Sequence, residues 1–183
     1  MIRSSIDPRV RRRSFLTGMA AAAALLAALP AWGTPVDDPE GDPPVAASVL
    51  VEKAARRLTL RDAAGQPLRV FTGIALGFAP IGPKRVEGDG RTPEGHYVID
   101  YGNPDSAYHL SLHVSYPDSD DLARAAQAGR SAGGLIFLHG QPNADGRTRI
   151  RGDWTDGCIA LSNAEIEEIW RRVADGTPIE IRP

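Results

Sequence analysis

The sequence predicts a mostly β domain with two short helices, folded as a β-sandwich or a barrel-like sheet. Short runs that alternate in polarity or are continuously apolar recur along most of the chain, and turn signals rich in Gly and Pro separate them. Only two stretches combine helical periodicity with helix-starting residues. Many short strands with few helices are typical of a sheet-dominated architecture.

The strands follow one another from residue 48 onwards. A long loop rich in Gly and Pro, residues 79–95, interrupts them. Loops of this length in compact domains are often functional, although it could also be a plain connector within the sheet. Residues 74–78 are predicted to extend the third strand. The predicted strands are residues 48–53, 57–61, 68–72, 97–100, 110–115, 135–139 and 177–181, with a further short apolar run at 159–161.

The two predicted helices span residues 118–128 and 163–173. Acidic residues in the first turn favour the first one. The second follows the sequence Ser162-Asn163-Ala164-Glu165, which is a capping-box pattern. Its apolar residues recur at i, i+3, i+4 and i+7, namely Ile166, Ile169, Trp170 and Val173.

The N-terminal residues predict an exported protein. Residues 1–33 combine several arginines, an apolar core of about ten residues and a small-residue end, which is typical of a signal peptide. Arg12-Arg13-Ser14-Phe15-Leu16 matches the twin-arginine export pattern, with the ordinary secretory route as the alternative. The apolar core is shorter than the roughly 20 residues of a membrane span, so we expect no stable membrane insertion after cleavage, with an uncleaved N-terminal anchor as the alternative. Residues 34–46 are predicted to be a flexible linker, and residues 47–183 one compact domain.

Net charge narrows the classes of partner. Without residues 1–33 the chain carries 16 Lys plus Arg against 22 Asp plus Glu, a net charge of −6. No basic stripe remains, which excludes nucleic acid as an expected partner.

The candidate chemistry centres on Cys158, the only cysteine, and His139 nineteen residues before it. A thiol attacks well only as a thiolate, and an imidazole can take its proton near neutral pH. In an exported protein a cysteine without a disulfide partner is either inert and buried or functional. We therefore expect a nucleophile and base pair, with the thiolate stabilised by the imidazolium that forms. A buried structural Cys and a structural His are the alternatives.

Residues around Cys158 suggest the rest of a site. Gly157 allows a tight turn in which the N–H groups of Gly157 and Cys158 could face a developing oxyanion. Trp154 is either a core anchor or a pocket wall. Arginines at 147, 149 and 151 alternate, so they could bind a substrate carboxylate, or they could belong to a solvated loop.

A zinc site is the competing interpretation of the histidines. His109 and His113 would share a face of one strand, and His139 and Cys158 could complete a ligand set. No closely spaced ligand pair of the zinc-binding type is present, so no metal is expected. His109 and His113 are better explained as a groove wall or ordinary surface, and His96 as a solvent-facing strand residue.

At these residues the sequence resembles the L,D-transpeptidase catalytic domain family (YkuD-type). The family pattern of His, a spacer, Ser or Thr, and Gly-Cys is matched by His139, fifteen residues, and then Thr155-Asp156-Gly157-Cys158. A second hallmark is matched by Thr92-Pro93-Glu94-Gly95-His96-Tyr97. Asp156 departs from the usual second His, and Ala160 from a common Arg or Asn. The segment is most similar to the YafK-like subgroup, some of whose members hydrolyse crosslinks.

The resemblance implies a predominantly β fold and acyl transfer through a thioester on Cys158, with His139 as base. It implies that the backbone carbonyl of Gly140 orients His139, and that Asp156 and Gly157 supply backbone donors to the oxyanion. Substrate contacts are expected from Trp154, Arg151 and Thr155. The implied partner is the peptidoglycan stem peptide, cut at the diaminopimelate–D-Ala bond, and neither a metal nor an organic cofactor is implied. An L,D-specific cysteine hydrolase, which would cleave crosslinks or release wall-attached protein, and a non-catalytic wall-binding domain stay open as alternatives.

Overall fold

A computed structural model describes residues 45–145 and 148–183. It contains eight strands, two α-helices and a single-turn 3-10 helix at Asn143–Asp145. The strands are β1 Ser48–Glu52, β2 Arg57–Arg61, β3 Pro67–Thr72, β4 Gly95–Asn103, β5 Ser111–Val114, β6 Ile136–His139, β7 Ile159–Ala160 and β8 Thr177–Arg182; the helices are α1 Ser119–Gln127 and α2 Asn163–Arg172. The predicted fold class is confirmed, and every predicted strand is present. β4 is longer than expected because its pairing with β8 begins at Gly95.

All eight strands belong to one sheet in the order β3-β2-β1-β8-β4-β5-β6-β7. Pairs β1–β8 and β6–β7 are parallel and the others are antiparallel. The prediction that residues 74–78 extend β3 is wrong. This segment leaves the β3 edge and forms bridges at the opposite edge, Ala75 with Ala160 and Gly77 with Thr155. The sheet therefore curls towards a barrel, and the bridges reach the residues that flank Cys158.

The alternation of side chains along β5 and β6 separates core from site. Leu112 and Leu138 are fully buried and belong to the one hydrophobic cluster that also includes Ile166 and Ile169 of α2. Because successive strand residues point to opposite faces, Phe137 and His139 lie on the other side of the sheet. One face of β5 and β6 is therefore buried in the core, and the opposite face carries Phe137 and His139.

Helix α2 begins at Asn163 as the sequence predicts, whereas α1 begins at Ser119, one residue later than predicted, because Asp118 is its N-cap. Each helix ends one residue before its predicted end. Ser162 caps α2, and its side chain and that of Glu165 bond each other's backbone N–H groups. Asp118 caps α1 in the same reciprocal way with Asp121. Caps of this kind stabilise a helix by about 1 kcal/mol each.

The predicted signal peptide lies outside the described residues, and so does most of the predicted linker. Ala46, assigned to the linker, is 3% exposed and donates its N–H to Arg172 O at 2.8 Å. The folded domain therefore includes Ala46, one residue earlier than predicted. Within residues 45–145 and 148–183, no helix combines the length and apolar character that crossing a bilayer requires.

Candidate active site

Parallel pairing of β6 and β7 brings the two candidate catalytic residues together. Leu138 pairs with Ile159 and His139 with Ala160, so Cys158 comes next to Phe137. Cys158 directly precedes Ile159, which is buried in the core, so its side chain emerges on the same face as His139. His139 and Cys158 both line a cavity of about 1050 Å³.

His139 is held by the carbonyl next to it. Its Nδ1 lies 2.7 Å from Gly140 O, so Nδ1 carries the proton and donates, which leaves Nε2 as the basic nitrogen. The imidazole is 4% exposed and has the rings of Tyr108 and Trp154 at 4.6 and 5.7 Å between centroids. Burial lowers the pKa of His139, and the Gly140 carbonyl opposes this. The ring is therefore neutral at neutral pH, as a general base must be.

Gly140 has to be glycine because of close packing around it. A Cβ there would lie 2.7 Å from Asn163 Oδ1 and 3.0 Å from Tyr108 O. The same Asn163 oxygen accepts from Gln141 N at 2.8 Å, at the start of α2. The end of β6 is thereby fixed to α2.

The Cys158 thiol is protonated at rest. Burial raises its pKa, a hydrogen bond from the Phe137 backbone lowers it, and the charge of Asp156 raises it further. The sulfhydryl donates to Leu135 O at 3.5 Å. Together with the lowered pKa of His139, this favours a neutral thiol beside a neutral imidazole. The structure does not support the resting ion pair that we expected, because burial penalises both charges.

A dense set of contacts fixes the turn that carries Cys158. The Thr155 hydroxyl donates to Cys158 O at 2.7 Å and accepts from Gly157 N at 3.2 Å. Gly157 has φ +134°, and a Cβ there would lie 2.6 Å from Arg91 O. The Gly157 N–H, expected to face an oxyanion, is thus already bonded within the turn. Residue 157 must instead be glycine because the backbone of Arg91 approaches it closely.

The loop at 79–95 packs on the turn that carries Cys158, and hydrogen bonds from Gly77 and Lys53 hold this loop in place. Gly77 N donates to the buried Thr92 hydroxyl at 3.0 Å. Lys53, which is 2% exposed, donates to Thr92 O at 3.0 Å and to Glu94 at 2.8 Å. The hallmark segment that begins at Thr92 therefore helps to hold the cysteine turn in place.

The predicted substrate-contacting residues lie in different places. Trp154 and Thr155 line the cavity, although the Thr155 hydroxyl serves the turn. Asp156 is exposed and also lines the cavity. Arg151 is exposed and is not among the residues that line it. Arg149 pairs with Glu165 of α2, and residue 147 lies outside the described residues.

The remaining histidines have partners of their own. His109 precedes β5, has φ +69° and pairs with Glu167 at 2.6 Å, so it does not share a strand with His113. His113 pairs with Asp100 at 2.7 Å. His96 is exposed, as predicted. In the described part of the chain, no group of three or more His, Cys, Asp or Glu side chains is placed to hold a metal ion.

Among the cavity residues that were not identified from the sequence, four bear on the chemistry: Tyr108, Lys84, Leu135 and Phe137. Lys84 is 4% exposed, bonds Asp89 at 2.9 Å, and its charge lowers the pKa of Cys158. Leu135 has φ +55° and directs its carbonyl at the thiol. The only sequence signal for any of these roles is that Leu135 and Phe137 belong to the predicted strand that ends at His139.

Comparisons with known proteins agree with this geometry. The model of the L,D-transpeptidase catalytic domain family, YkuD, matches residues 46–181. YafK of Escherichia coli (strain K12), which is named as an L,D-transpeptidase, is 28% identical over 95 residues, 51% of this chain and 32% of that protein.

Solved structures show the same fold. The helical cell shape determining protein Pgp2 from Campylobacter jejuni is 30% identical with a TM-score of 0.60, over 73% of this chain and 46% of that one. Bd1075 of Bdellovibrio bacteriovorus is 24% identical with a TM-score of 0.53, over the same shares of the two chains. This chain thus spans less than half the length of these relatives. Because the family match covers most of its residues, the chain belongs to the YkuD family of L,D-transpeptidase catalytic domains.

Proposed function

We propose that this protein is a peptidoglycan-modifying cysteine acyltransferase, an L,D-transpeptidase of the bacterial cell wall. One observation carries the proposal. His139 is oriented by the Gly140 carbonyl at 2.7 Å, and its ring lines the same cavity as the only cysteine of the chain. An oriented base that shares a cavity with a thiol is consistent with nucleophilic catalysis, which requires the two groups to act together.

The first half-reaction forms a thioester. His139 Nε2 takes the Cys158 proton as sulfur attacks the carbonyl carbon of the diaminopimelate–D-Ala bond. The oxyanion that forms is stabilised by backbone N–H groups near Asp156 and Cys158, each contributing about 3 kcal/mol. When the C–N bond breaks, His139 returns the proton to the leaving amine of D-Ala. Because both groups are neutral at rest, proton transfer accompanies attack and does not precede it.

The second half-reaction depends on the acceptor. An amine that attacks the thioester gives a crosslink, and water gives hydrolysis. The exposed carboxylates of Asp156 and Glu87 line the cavity and would attract an amine-bearing acceptor in its ammonium form. This favours transfer.

Hydrolysis is the second candidate, and the residue at position 160 favours it. Ala160 is 1% exposed within β7, so no polar side chain stands where the family commonly has Arg or Asn. A site that lacks this group has one fewer contact to hold an acceptor, which leaves the thioester to water. A non-catalytic wall-binding domain is less consistent with a thiol that faces an open cavity.

The test is to incubate the purified protein with disaccharide-tetrapeptide muropeptides and to analyse the products by mass. Release of D-Ala with formation of a dimer supports transfer. Tripeptide alone indicates hydrolysis, which would replace the transferase proposal. If no D-Ala is released and no thioester adduct forms on Cys158, the enzymatic proposal is wrong.

We also propose that the protein acts in the periplasm or cell envelope, after removal of residues 1–33. The basic and apolar pattern of those residues supports export, and the expected substrate is found there. Changing Arg12 and Arg13 to Lys should trap the precursor inside the cell if the twin-arginine route is used. Unchanged export of that variant would assign the ordinary secretory route.

A further inference from the structure

Three aromatic side chains form a surface next to the catalytic cavity, which we call the aromatic shelf: Tyr101, His113 and Phe137. The Tyr101 and His113 rings stack at 4.6 Å with an interplanar angle of 17°. Phe137 meets His113 edge-on at 4.9 Å and Tyr101 at 6.1 Å. The three rings are thus in mutual contact on neighbouring strands β4, β5 and β6.

The shelf is continuous with the candidate active site. His113 pairs with Phe137 across the β5–β6 ladder, two residues along from the pair of Ser111 with His139. Side chains two apart on a strand share a face, so the shelf and His139 lie on the same side of the sheet. Phe137 lines the cavity, and its backbone contacts the Cys158 sulfur.

The shelf is not part of the hydrophobic core. Tyr101 is 43% exposed, and none of the three residues belongs to the core cluster. Polar groups surround the rings: His113 Nδ1 lies 2.7 Å from Asp100, and Asn103 lines the adjoining part of the cavity. The exposed ring is that of Tyr101, and His113 and Phe137 are half-buried against it. An exposed ring with hydrogen-bonding groups at its edge is a binding surface for a ligand that has both apolar faces and hydroxyl groups.

We propose that the aromatic shelf binds a sugar ring of the glycan strand to which the substrate peptide is attached, an inference that rests on the proposed function. The C–H face of an N-acetylhexosamine would stack on Tyr101, with its hydroxyl and acetamido groups towards Asp100 and Asn103. The stem peptide itself has no aromatic residue and offers the shelf no comparable flat face.

The length of the stem fits this placement. Three residues separate the sugar from the scissile carbonyl, and because one is joined through its side chain and a lactyl group follows, the extended stem spans at least about 10 Å. The Phe137 backbone contacts the thiol, and the Tyr101 ring lies 6.1 Å from the Phe137 ring. A stem peptide bound with its carbonyl at Cys158 is therefore long enough for its sugar to reach the shelf.

The direct test measures binding of peptide-free glycan, a tetrasaccharide of alternating N-acetylglucosamine and N-acetylmuramic acid, by calorimetry. We expect Tyr101→Ala to raise Kd about fivefold or more, because it removes the stacking ring. Tyr101→Phe should stay within about twofold because it keeps the ring. Val70→Ala is the matched control, since Val70 is 49% exposed on β3 at the far edge of the sheet. Absence of binding by the unaltered protein, or equal binding by Tyr101→Ala, would overturn the proposal.

A second measurement compares kcat/KM for the free tetrapeptide and for the disaccharide-tetrapeptide. Tyr101→Ala should reduce only the value for the sugar-bearing substrate. An equal reduction for both would mean that the shelf contacts peptide, which also overturns the proposal. If the protein binds glycan through Tyr101 but cleaves neither substrate, the shelf proposal stands and the proposed enzymatic function falls.

Discussion

His139 and Cys158 face the same cavity but are held in place in different ways. His139 ends a strand whose ladder fixes its backbone, and the adjacent Gly140 carbonyl orients its ring. Cys158 lies on an irregular turn that is held by side chains and by a distant loop. Thr155 bonds both sides of the turn, and Arg91 packs against Gly157.

A third anchor of the cysteine turn comes from Asp153. Its carboxylate accepts from Arg56 and from Leu76 N, at 2.6 and 2.9 Å. Regular secondary structure therefore positions the base, whereas long-range contacts position the nucleophile. The cysteine side of the site should be the more easily disturbed of the two.

Removing the nucleophile should have the largest effect. We expect Cys158→Ala to reduce turnover at least about 10⁴-fold and Cys158→Ser nearly as much, since a hydroxyl is much harder to ionise. Thermal unfolding should change little in Cys158→Ser. Substantial D-Ala release by Cys158→Ala would end the thioester mechanism.

Removing the base should cost about 10² to 10⁴-fold in kcat/KM for His139→Ala. Because burial lowers the pKa of His139, the apparent pKa of the acid limb in the wild-type pH–activity profile should lie below the ordinary histidine value of about 6.5. Because burial raises the pKa of Cys158, iodoacetamide labelling of the free enzyme should rise only above about pH 8.5. Rapid labelling at mildly acidic pH would contradict this expectation and would indicate a thiolate–imidazolium ion pair in the free enzyme.

Gly157→Ala should disturb the cysteine turn strongly. Its φ of +134° and the 2.6 Å approach of Arg91 O leave no room for a methyl group, so we expect a loss of more than about 2 kcal/mol in unfolding free energy. Gly152→Ala is the control, with φ +78° but open space around it, and should cost about 1 kcal/mol. If urea unfolding gives equal losses of unfolding free energy for Gly157→Ala and Gly152→Ala, the turn can shift away from Arg91 to make room for the methyl group.

Thr155→Val keeps the shape of the side chain and removes both hydrogen bonds of its hydroxyl. The Gly157 N–H would be left unpaired, which costs about 1–3 kcal/mol, and activity should fall with it. Thr155→Ser should retain most of both. If Thr155→Val matches the wild type in kcat and in unfolding, packing alone holds the turn.

Asp156→Asn should have the smallest effect. The Asp156 charge raises the pKa of Cys158, so its removal should shift thiol labelling towards lower pH, with a rate increase on the order of twofold because the side chain is exposed. His139 should remain the base. A larger effect on labelling than that of His139→Ala would mean that position 156, not 139, governs the thiol.

Local patterns were sufficient to predict most elements and one half of the site. The capping box at Ser162 and Glu165 marked the start of α2, because capping depends on neighbours three residues apart. The apolar run ending at His139 and the adjacent Gly140 indicated a strand-end base. Segment 74–78 was misassigned because its partners, Thr155 and Ala160, are distant in sequence.

By itself, the sequence determined a mostly β domain, a single thiol and a histidine at a strand end, since these follow from composition and short-range periodicity. Only the tertiary structure decided which residues surround the thiol. Parallel pairing of β6 and β7 places Cys158 beside Phe137, and the curl of the sheet brings the 79–95 loop onto Gly157. The protonation state was decided in the same way, because burial, which no local pattern reports, keeps both Cys158 and His139 neutral.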